Sequence, residues 1–156
     1  MLRKNLKSNI RLKHGRFAIV ASLYNARYVD AMLRAAKAEL KRAGAVVQVV
    51  RVPGAYEIPV VAKKLARASQ PPLAGIICLG VILRGQTVHA AHIGDAVSRA
   101  LMEIQLAHEV PVIHEVLLLE NEAQARARCL SKTHNRGMEA AQTALAMGNL
   151  MKTLPS

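Results

Sequence analysis

The sequence predicts an α/β protein in which a parallel sheet of four strands is flanked by helices. Four short apolar stretches alternate with longer stretches whose apolar residues recur every three or four positions. Strands that alternate with helices through connections of this length form parallel βαβ units in one sheet. No repeat, linker or low-complexity block divides the 156 residues. We therefore expect a basic N-terminal segment, residues 1–15, followed by a single domain at residues 16–156.

The first half of the chain supplies two strands and two helices. Residues 17–21 and the β-branched residues 46–52 are predicted strands. Between them, apolar residues at helical spacing predict a helix that ends at Gly44, since glycine suits the C′ position. A second helix is predicted from residue 60 to about residue 68, with Pro59 in its first turn, where a missing N–H is tolerated.

The third predicted strand, residues 75–83, runs into a polar loop and then a helix from about His89 to His108. In open α/β sheets, ligands bind beyond the carboxyl ends of the strands, and helix N-termini attract anions. The polar residues at this junction are therefore candidate functional residues: Arg84, Gln86, Thr87 and His89. A plain strand–turn–helix joint with Thr87 as N-cap explains the same residues without a function.

The remaining sequence predicts one strand and two helices. The strand covers residues 111–119, with its proline at the leading end, where sheets tolerate it. Acidic residues then open a helix that runs from residue 120 to about Leu130, which fits the positive end of its dipole. The polar loop 131–137 separates this helix from a last one at about residues 138–151.

The chain is strongly basic, with 22 Lys and Arg against 10 Asp and Glu and a net charge of +12. Six basic residues and no acid occur in the first sixteen positions. Such a charge raises nucleic acid as a partner. However, one Phe, three Tyr and no Trp give few stacking platforms, and no DNA- or RNA-binding signature occurs. We therefore expect a solvated basic surface or one that faces phosphorylated metabolites, and these observations argue against nucleic acid as a partner.

The cysteines and the hydropathy of the sequence indicate the cellular compartment to expect. Cys78 and Cys129 lack the spacing of a metal site, and we expect both to be reduced thiols in a cytoplasmic protein. No apolar run reaches the length of a membrane span, and no apolar segment follows the N-terminal charges. Neither membrane insertion nor export is therefore expected.

Three colinear stretches resemble the lumazine synthase (6,7-dimethyl-8-ribityllumazine synthase) family. Residues 52–59, VPGAYEIP, closely resemble the family signature VPGAFEIP, which is highly specific. Residues 80–89 look like its GTVIRGxTxH loop, a moderately specific match. Residues 119–137 are similar to its TEN…QA…ER…K…NKG segment, and Tyr24-Asn25 stands where the family has Phe-Asn. The resemblance extends from about residue 17 to residue 150.

The resemblance implies a flavodoxin-like three-layer α/β/α sandwich and a reaction. The reaction condenses 5-amino-6-(D-ribitylamino)uracil with 3,4-dihydroxy-2-butanone 4-phosphate, through imine formation, phosphate elimination and ring closure, with no metal or organic cofactor. The resemblance also implies a homo-oligomer based on pentamers with sites between subunits, in some members packed into icosahedral shells. Riboflavin synthase is a candidate partner inside such a shell.

The resemblance also implies residue roles. His89 would transfer protons, Glu139 would orient His89, and Arg128 would bind phosphate; these are the implied catalytic residues. The implied substrate-binding residues are Tyr24, Asn25, Ala55, Tyr56, Glu57, Val81, Ile82, Leu83 and His114. The implied phosphate-binding residues are Gln86, Thr87, Arg128 and Lys132. Each side chain also has a plain structural role: Tyr24 can cover the core, and Arg128 and Lys132 can be solvated.

The chain departs from the family pattern at several positions. Val81 replaces a Thr, Ala90 and Ala91 replace bulkier residues, and His134 replaces a Gly. His114 occupies the position of a Phe that reaches into the neighbouring subunit's site, and it introduces a titratable ring that can still stack. These departures keep open a flavin- or lumazine-binding relative without catalysis, and the net charge of +12 keeps open a basic shell protein that packages anionic cargo.

Overall fold

The structure is a computed structural model that describes residues 15–85 and 88–156. The predicted N-terminal segment, apart from Gly15, and the predicted phosphate ligands Gln86 and Thr87 lie outside the described residues.

The described residues form four strands that alternate with helices, as the sequence predicts. The strands are β1 (Arg16–Ser22), β2 (Val46–Val52), β3 (Gly75–Leu83) and β4 (Val112–Leu119). The helices are α1 (Ala26–Arg42), α2 (Ile58–Ala68), α3 (His89–His108), α4 (Glu122–Ala125) and α5 (Arg136–Thr153). A 3₁₀ turn, Ala55–Glu57, precedes α2, and a π turn, Arg126–Leu130, follows α4. None of the helices within residues 15–85 and 88–156 is long and apolar enough to cross a membrane.

All four strands are parallel, in the order β2-β1-β3-β4. This confirms the predicted four-stranded parallel sheet of a three-layer sandwich. The order is that of the first four strands of a flavodoxin-like sheet. In such a sheet β2 is added on one side of β1 and the later strands on the other, so the strand order reverses between β1 and β3. Ligands bind outside the carboxyl ends of the strands at such a switch point. The topology therefore places a candidate site above the ends of β1 and β3.

Strand side chains alternate between two cores because successive residues point to opposite faces of a sheet. On one face, Phe17 and Ile19 of β1 pack in a cluster with residues of α1 and α5. On the other face, Ala18 and Val20 pack in a cluster with residues of α2 and α3. α3 and α5 therefore lie on opposite faces of the sheet.

The helix ends show what apolar periodicity misses. α2 begins two residues before its predicted start at residue 60, and α5 begins two residues before its predicted start at residue 138. The Asn135 side chain caps α5, since its Oδ1 accepts from the N–H groups of Gly137 and Met138 at 2.8 and 3.4 Å. Gly44, with φ +80°, ends α1 as predicted.

Candidate active site

A cleft of about 960 Å³ lies where β1, β2 and β3 end and α3 begins. Nine residues with implied roles line it: Tyr24, Asn25, Ala55, Tyr56, Glu57, Val81, Ile82, Leu83 and His89. They come from four separate stretches of sequence, which the parallel sheet brings to one edge. Gly54, Gly85, Ala90, His92, Ile93 and Ala96 complete the lining.

The turn after β1 forms one wall of the cleft. Tyr24 exposes 74% of its surface, so its ring is a free face rather than a cover for the core. Its N–H donates to the Pro53 carbonyl at 3.1 Å, which joins this turn to the end of β2. Asn25 has a left-handed backbone, with φ 56°, and its Nδ2 donates to the Val81 carbonyl at 2.7 Å.

The 3₁₀ turn supplies Tyr56 and Glu57 at a second wall. Both side chains are exposed, and Tyr56 exposes 65% of its surface. The Glu57 carboxylate lies over the backbone of Gly54, because a Cβ placed on Gly54 would lie 3.0 Å from Glu57 Oε2. The absence of a side chain at Gly54 therefore makes room for this carboxylate.

The end of β3 presents backbone groups to the cleft. Pairing of β1 with β3 ends at Ala21 and Leu79, whereas β4 continues beside β3 to Leu83. The Arg84 N–H donates to a β4 carbonyl, and polar groups alternate in direction along a parallel strand. The backbone groups of Val81 and Leu83 therefore point away from β4, toward the cleft.

The first two turns of α3 form the remaining wall. His89 is the first residue of the helix, and His92 follows on the same face at i+3 spacing. Both imidazoles are exposed within the cleft. Sequence reasoning missed His92, although the spacing of residues 89, 92, 93 and 96 is the signal of one helix face.

Four residues with implied roles do not reach this cleft within the chain: His114, Arg128, Lys132 and Glu139. His114 lies on β4, where its Nδ1 accepts from the Val116 N–H at 3.2 Å and its Nε2 lies 2.8 Å from Ser98 Oγ. Burial lowers the pKa of His114 below its ordinary value. Arg128 and Lys132 are exposed on the segment before α5.

Glu139 belongs to a separate charged cluster on the α5 face of the sheet. Arg136 donates to both oxygens of Glu115 at 3.1 and 2.9 Å and to Glu139 Oε2 at 3.0 Å. Burial raises the pKa of Glu115, while Arg136 and, more weakly, Arg128 oppose the shift. Sequence reasoning missed Arg136 and Glu115, since they are 21 positions apart and only the fold joins them.

Neither cysteine suits a reactive role. Cys78 and Cys129 are buried and free, and burial raises the pKa of the Cys78 thiol to about 12 and that of Cys129 to about 11. Within residues 15–85 and 88–156, no group of three or more His, Cys, Asp or Glu is placed to hold a metal ion. The described cleft offers two tyrosine rings, backbone polar groups, a carboxylate and two imidazoles.

This fold and cleft define a small-molecule-binding α/β protein, because an apolar cleft with a few polar groups at the strand ends is the usual ligand site of such sheets.

Comparison with known proteins identifies the family. Residues 14–152 match the family model for 6,7-dimethyl-8-ribityllumazine synthase. A protein of that name from Xanthomonas campestris pv. campestris (strain B100) is 41% identical over 152 residues, 96% of this chain and 97% of its own. Another, from Stenotrophomonas maltophilia (strain R551-3), is 43% identical over 143 residues, 90% and 91% of the two chains. The chain belongs to the 6,7-dimethyl-8-ribityllumazine synthase family, which confirms the resemblance in its sequence.

Proposed function

We propose that the cleft above the ends of β1, β2 and β3 is where this chain carries out the reaction of its family. The amine of 5-amino-6-(D-ribitylamino)uracil condenses with 3,4-dihydroxy-2-butanone 4-phosphate. The products are 6,7-dimethyl-8-ribityllumazine, inorganic phosphate and two water molecules. The observation that carries the proposal is that nine residues from four separated stretches, each implied by the resemblance, line one cleft.

The pyrimidine binds between the Tyr24 ring and the end of β3. A flat heterocycle gains from an aromatic face, and the Tyr24 ring is exposed to the cleft. The Leu83 backbone groups, which point away from β4, bond the polar edge of the ring. The backbone of Ile82 is directed toward β4 by the same alternation, so Ile82 contributes its side chain.

The ribityl chain binds along the 3₁₀ turn. The Glu57 carboxylate accepts hydrogen bonds from ribityl hydroxyls, which are stronger than bonds between neutral groups because the acceptor is charged. The Ala55 and Tyr56 backbone groups lie beside it in the same cleft wall. This arrangement would discriminate the ribityl compound from a pyrimidine without a polyol.

His89 transfers protons at the start of α3. Phosphate leaves as an anion, and the N-terminus of α3 favours negative charge there. An imidazole can act as a general base and a general acid in turn, so His89 can take a proton during imine formation and return it during ring closure. Gln86 and Thr87, proposed as phosphate ligands, stand three and two positions before the first residue of this helix in the sequence.

The residues that do not reach the cleft come from a second copy of the chain. His114, Arg128, Lys132 and Glu139 lie on β4 and on the segment and helix that follow it. Arg128 and Lys132 then complete the phosphate site, His114 stacks on the pyrimidine and Glu139 orients His89. Following the resemblance, we propose a pentamer-based homo-oligomer in the cytoplasm, with riboflavin synthase as partner if pentamers form a closed shell.

The proposal is tested by measuring lumazine absorbance with both substrates. The wild type is expected to exceed a protein-free blank, which is needed because the substrates can condense slowly alone. Arg128→Ala is expected to lose most of that gain, whereas exchanging exposed Arg126 for Ala leaves it intact. A wild type that only matches the blank, yet binds lumazine, would instead identify a binding protein.

A further inference from the structure

Asn25 has the backbone geometry of a residue that redirects the chain. It is one of two non-glycine residues with positive φ within residues 15–85 and 88–156. Asparagine adopts this left-handed conformation more readily than most residues. Its carbonyl accepts from the N–H groups of Tyr28 and Val29 at 3.0 and 3.2 Å, which starts α1. The chain therefore turns sharply at Asn25, directly after Tyr24.

The Asn25 side chain extends the connection between β1 and β3 beyond their ladder. Backbone pairing between these strands ends at Ala21 and Leu79. The Asn25 Nδ2 then donates to the Val81 carbonyl at 2.7 Å, in a partly buried bond that spans 56 positions of sequence. This single amide connects the turn that carries Tyr24 to the free end of β3.

The same turn is fixed from its other side by β2. The Leu23 N–H donates to the Val52 carbonyl at 2.8 Å, and the Tyr24 N–H donates to the Pro53 carbonyl at 3.1 Å. Tyr24 is therefore held against β2 by its backbone and against β3 by the amide of its neighbour. Loss of the amide leaves the β2 contacts intact but releases β3.

We propose that Asn25 is a positioning residue that sets the separation between the Tyr24 ring and the end of β3. The resemblance predicts that Asn25 binds substrate, whereas one N–H of its amide is bonded to the Val81 carbonyl, and we assign the effect of Asn25 to that bond. Because Asn25 bonds the Val81 carbonyl, we assign the polar edge of the pyrimidine to the Leu83 backbone groups beyond it. The identity of the ligand in this inference rests on the proposed function.

Three variants separate the amide from the backbone conformation. Asn25→Gly keeps the left-handed backbone, which glycine adopts freely, and removes the amide. Asn25→Asp keeps the side-chain shape but places a carboxylate oxygen against the Val81 carbonyl. Arg51→Ala is the matched control. Arg51 donates to the Ala21 and Ser22 carbonyls and so connects the ends of β2 and β1, but it does not line the cleft.

The expected result is specific to one substrate. In Asn25→Gly the KM for the ribitylaminouracil rises about tenfold, equivalent to about 1.4 kcal/mol, while the KM for the butanone phosphate and kcat change less than about twofold. Asn25→Asp raises the same KM further, because its carboxylate repels the Val81 carbonyl. Arg51→Ala lowers the melting temperature without this difference between substrates.

Binding of 6,7-dimethyl-8-ribityllumazine, followed by its fluorescence, tests the inference independently of turnover. The dissociation constant is expected to rise about tenfold in Asn25→Gly. If the wild type binds lumazine but does not form it, the proposed function is wrong, and the lumazine affinities of Asn25→Gly and the wild type still test the positioning role. Unchanged KM and lumazine affinity in Asn25→Gly would overturn the positioning role. Equal rises in KM for both substrates, of the size seen in Arg51→Ala, would also overturn it. A wild type that does not bind lumazine would overturn it as well.

Discussion

Replacing Gly54 by alanine should displace the Glu57 carboxylate without straining the backbone. Gly54 has φ −140° and ψ 179°, an extended conformation that any residue can adopt. The new Cβ would lie 3.0 Å from Glu57 Oε2, so the carboxylate must move by a few tenths of an ångström. The end of a flexible side chain can make that shift, and the fold should remain intact.

The magnitude follows from how much of the Glu57 interaction such a shift removes. Hydrogen bonds to a charged group contribute about 1.5–3 kcal/mol, so complete loss in Glu57→Ala should raise the KM for the ribitylaminouracil by roughly 10- to 150-fold. A small displacement weakens these bonds without abolishing them. We expect Gly54→Ala to lose about 1 kcal/mol, roughly a fivefold rise in that KM with kcat unchanged.

A double-mutant cycle provides the assay. Initial rates of lumazine formation are measured for the wild type, both single variants and the double variant. If alanine at position 54 acts through Glu57, the double variant has the same KM as Glu57→Ala alone. Independent, additive effects in the double variant would exclude a route through Glu57, because the new methyl group would then be acting on the substrate itself.

Three further predictions concern packing, charge and pH. A Cβ at Gly137 would lie 2.0 Å from the Met32 carbonyl oxygen, so Gly137→Ala must separate α5 from α1. It should cost about 3 kcal/mol, a fall in Tm of about 6–12 °C by thermal unfolding. Arg136→Met leaves the Glu115 carboxylate, whose side chain is 8% exposed, without its strongest partner. Urea unfolding should show a loss of about 3 kcal/mol. Burial lowers the pKa of His114, so in the folded protein the ring stays neutral below its ordinary pKa of about 6.5 and becomes charged as pH falls through the lowered pKa. Activity should therefore fall more steeply in the wild type than in His114→Phe once the pH, already below 6.5, falls through that lowered pKa.

Matched controls distinguish these effects from general damage. Gly94→Ala places its Cβ 3.7 Å from the nearest Leu118 atom and should not lower Tm; equal melting of the Gly137 and Gly94 variants would contradict the packing argument. Arg126→Met removes an exposed pair with Glu122 and should cost less than about 1 kcal/mol. Superimposable pH profiles of wild type and His114→Phe would exclude the imidazole as the cause.

The strands and most of the helices could be predicted because their signals are local. The β-branched run before Pro53 and the apolar run before Arg84 each indicate a strand without reference to the rest of the chain. Helix starts were less predictable, since the Asn135 cap that begins α5 is polar and looks like part of a loop. Apolar periodicity carries no information about such a residue.

The residues of the candidate site also divide into those with a local signal in the sequence and those without one. Tyr56, Glu57 and Leu83 belong to contiguous motifs and could be named from the sequence. The bond between Asn25 and Val81 could not, because residues 56 positions apart meet only once β1 and β3 are adjacent in the sheet. Contacts between copies of the chain are even harder to predict from the sequence, because they depend on how the copies assemble.

The proposed site combines the Tyr24 cleft of one copy with Arg128 of another, and mixed oligomers test this arrangement most directly. Subunits with Tyr24→Ala and subunits with Arg128→Ala, each of which is expected to lose most activity alone, are unfolded together in equal amounts and refolded, and lumazine formation is measured. In a ring with one kind of contact, an intact site needs Tyr24 from one subunit and Arg128 from its neighbour. Random mixing makes about one site in four intact, so the mixture should recover about a quarter of wild-type activity. A mixture no more active than its components, despite forming mixed oligomers, would place both residues in a single-chain site and contradict the account.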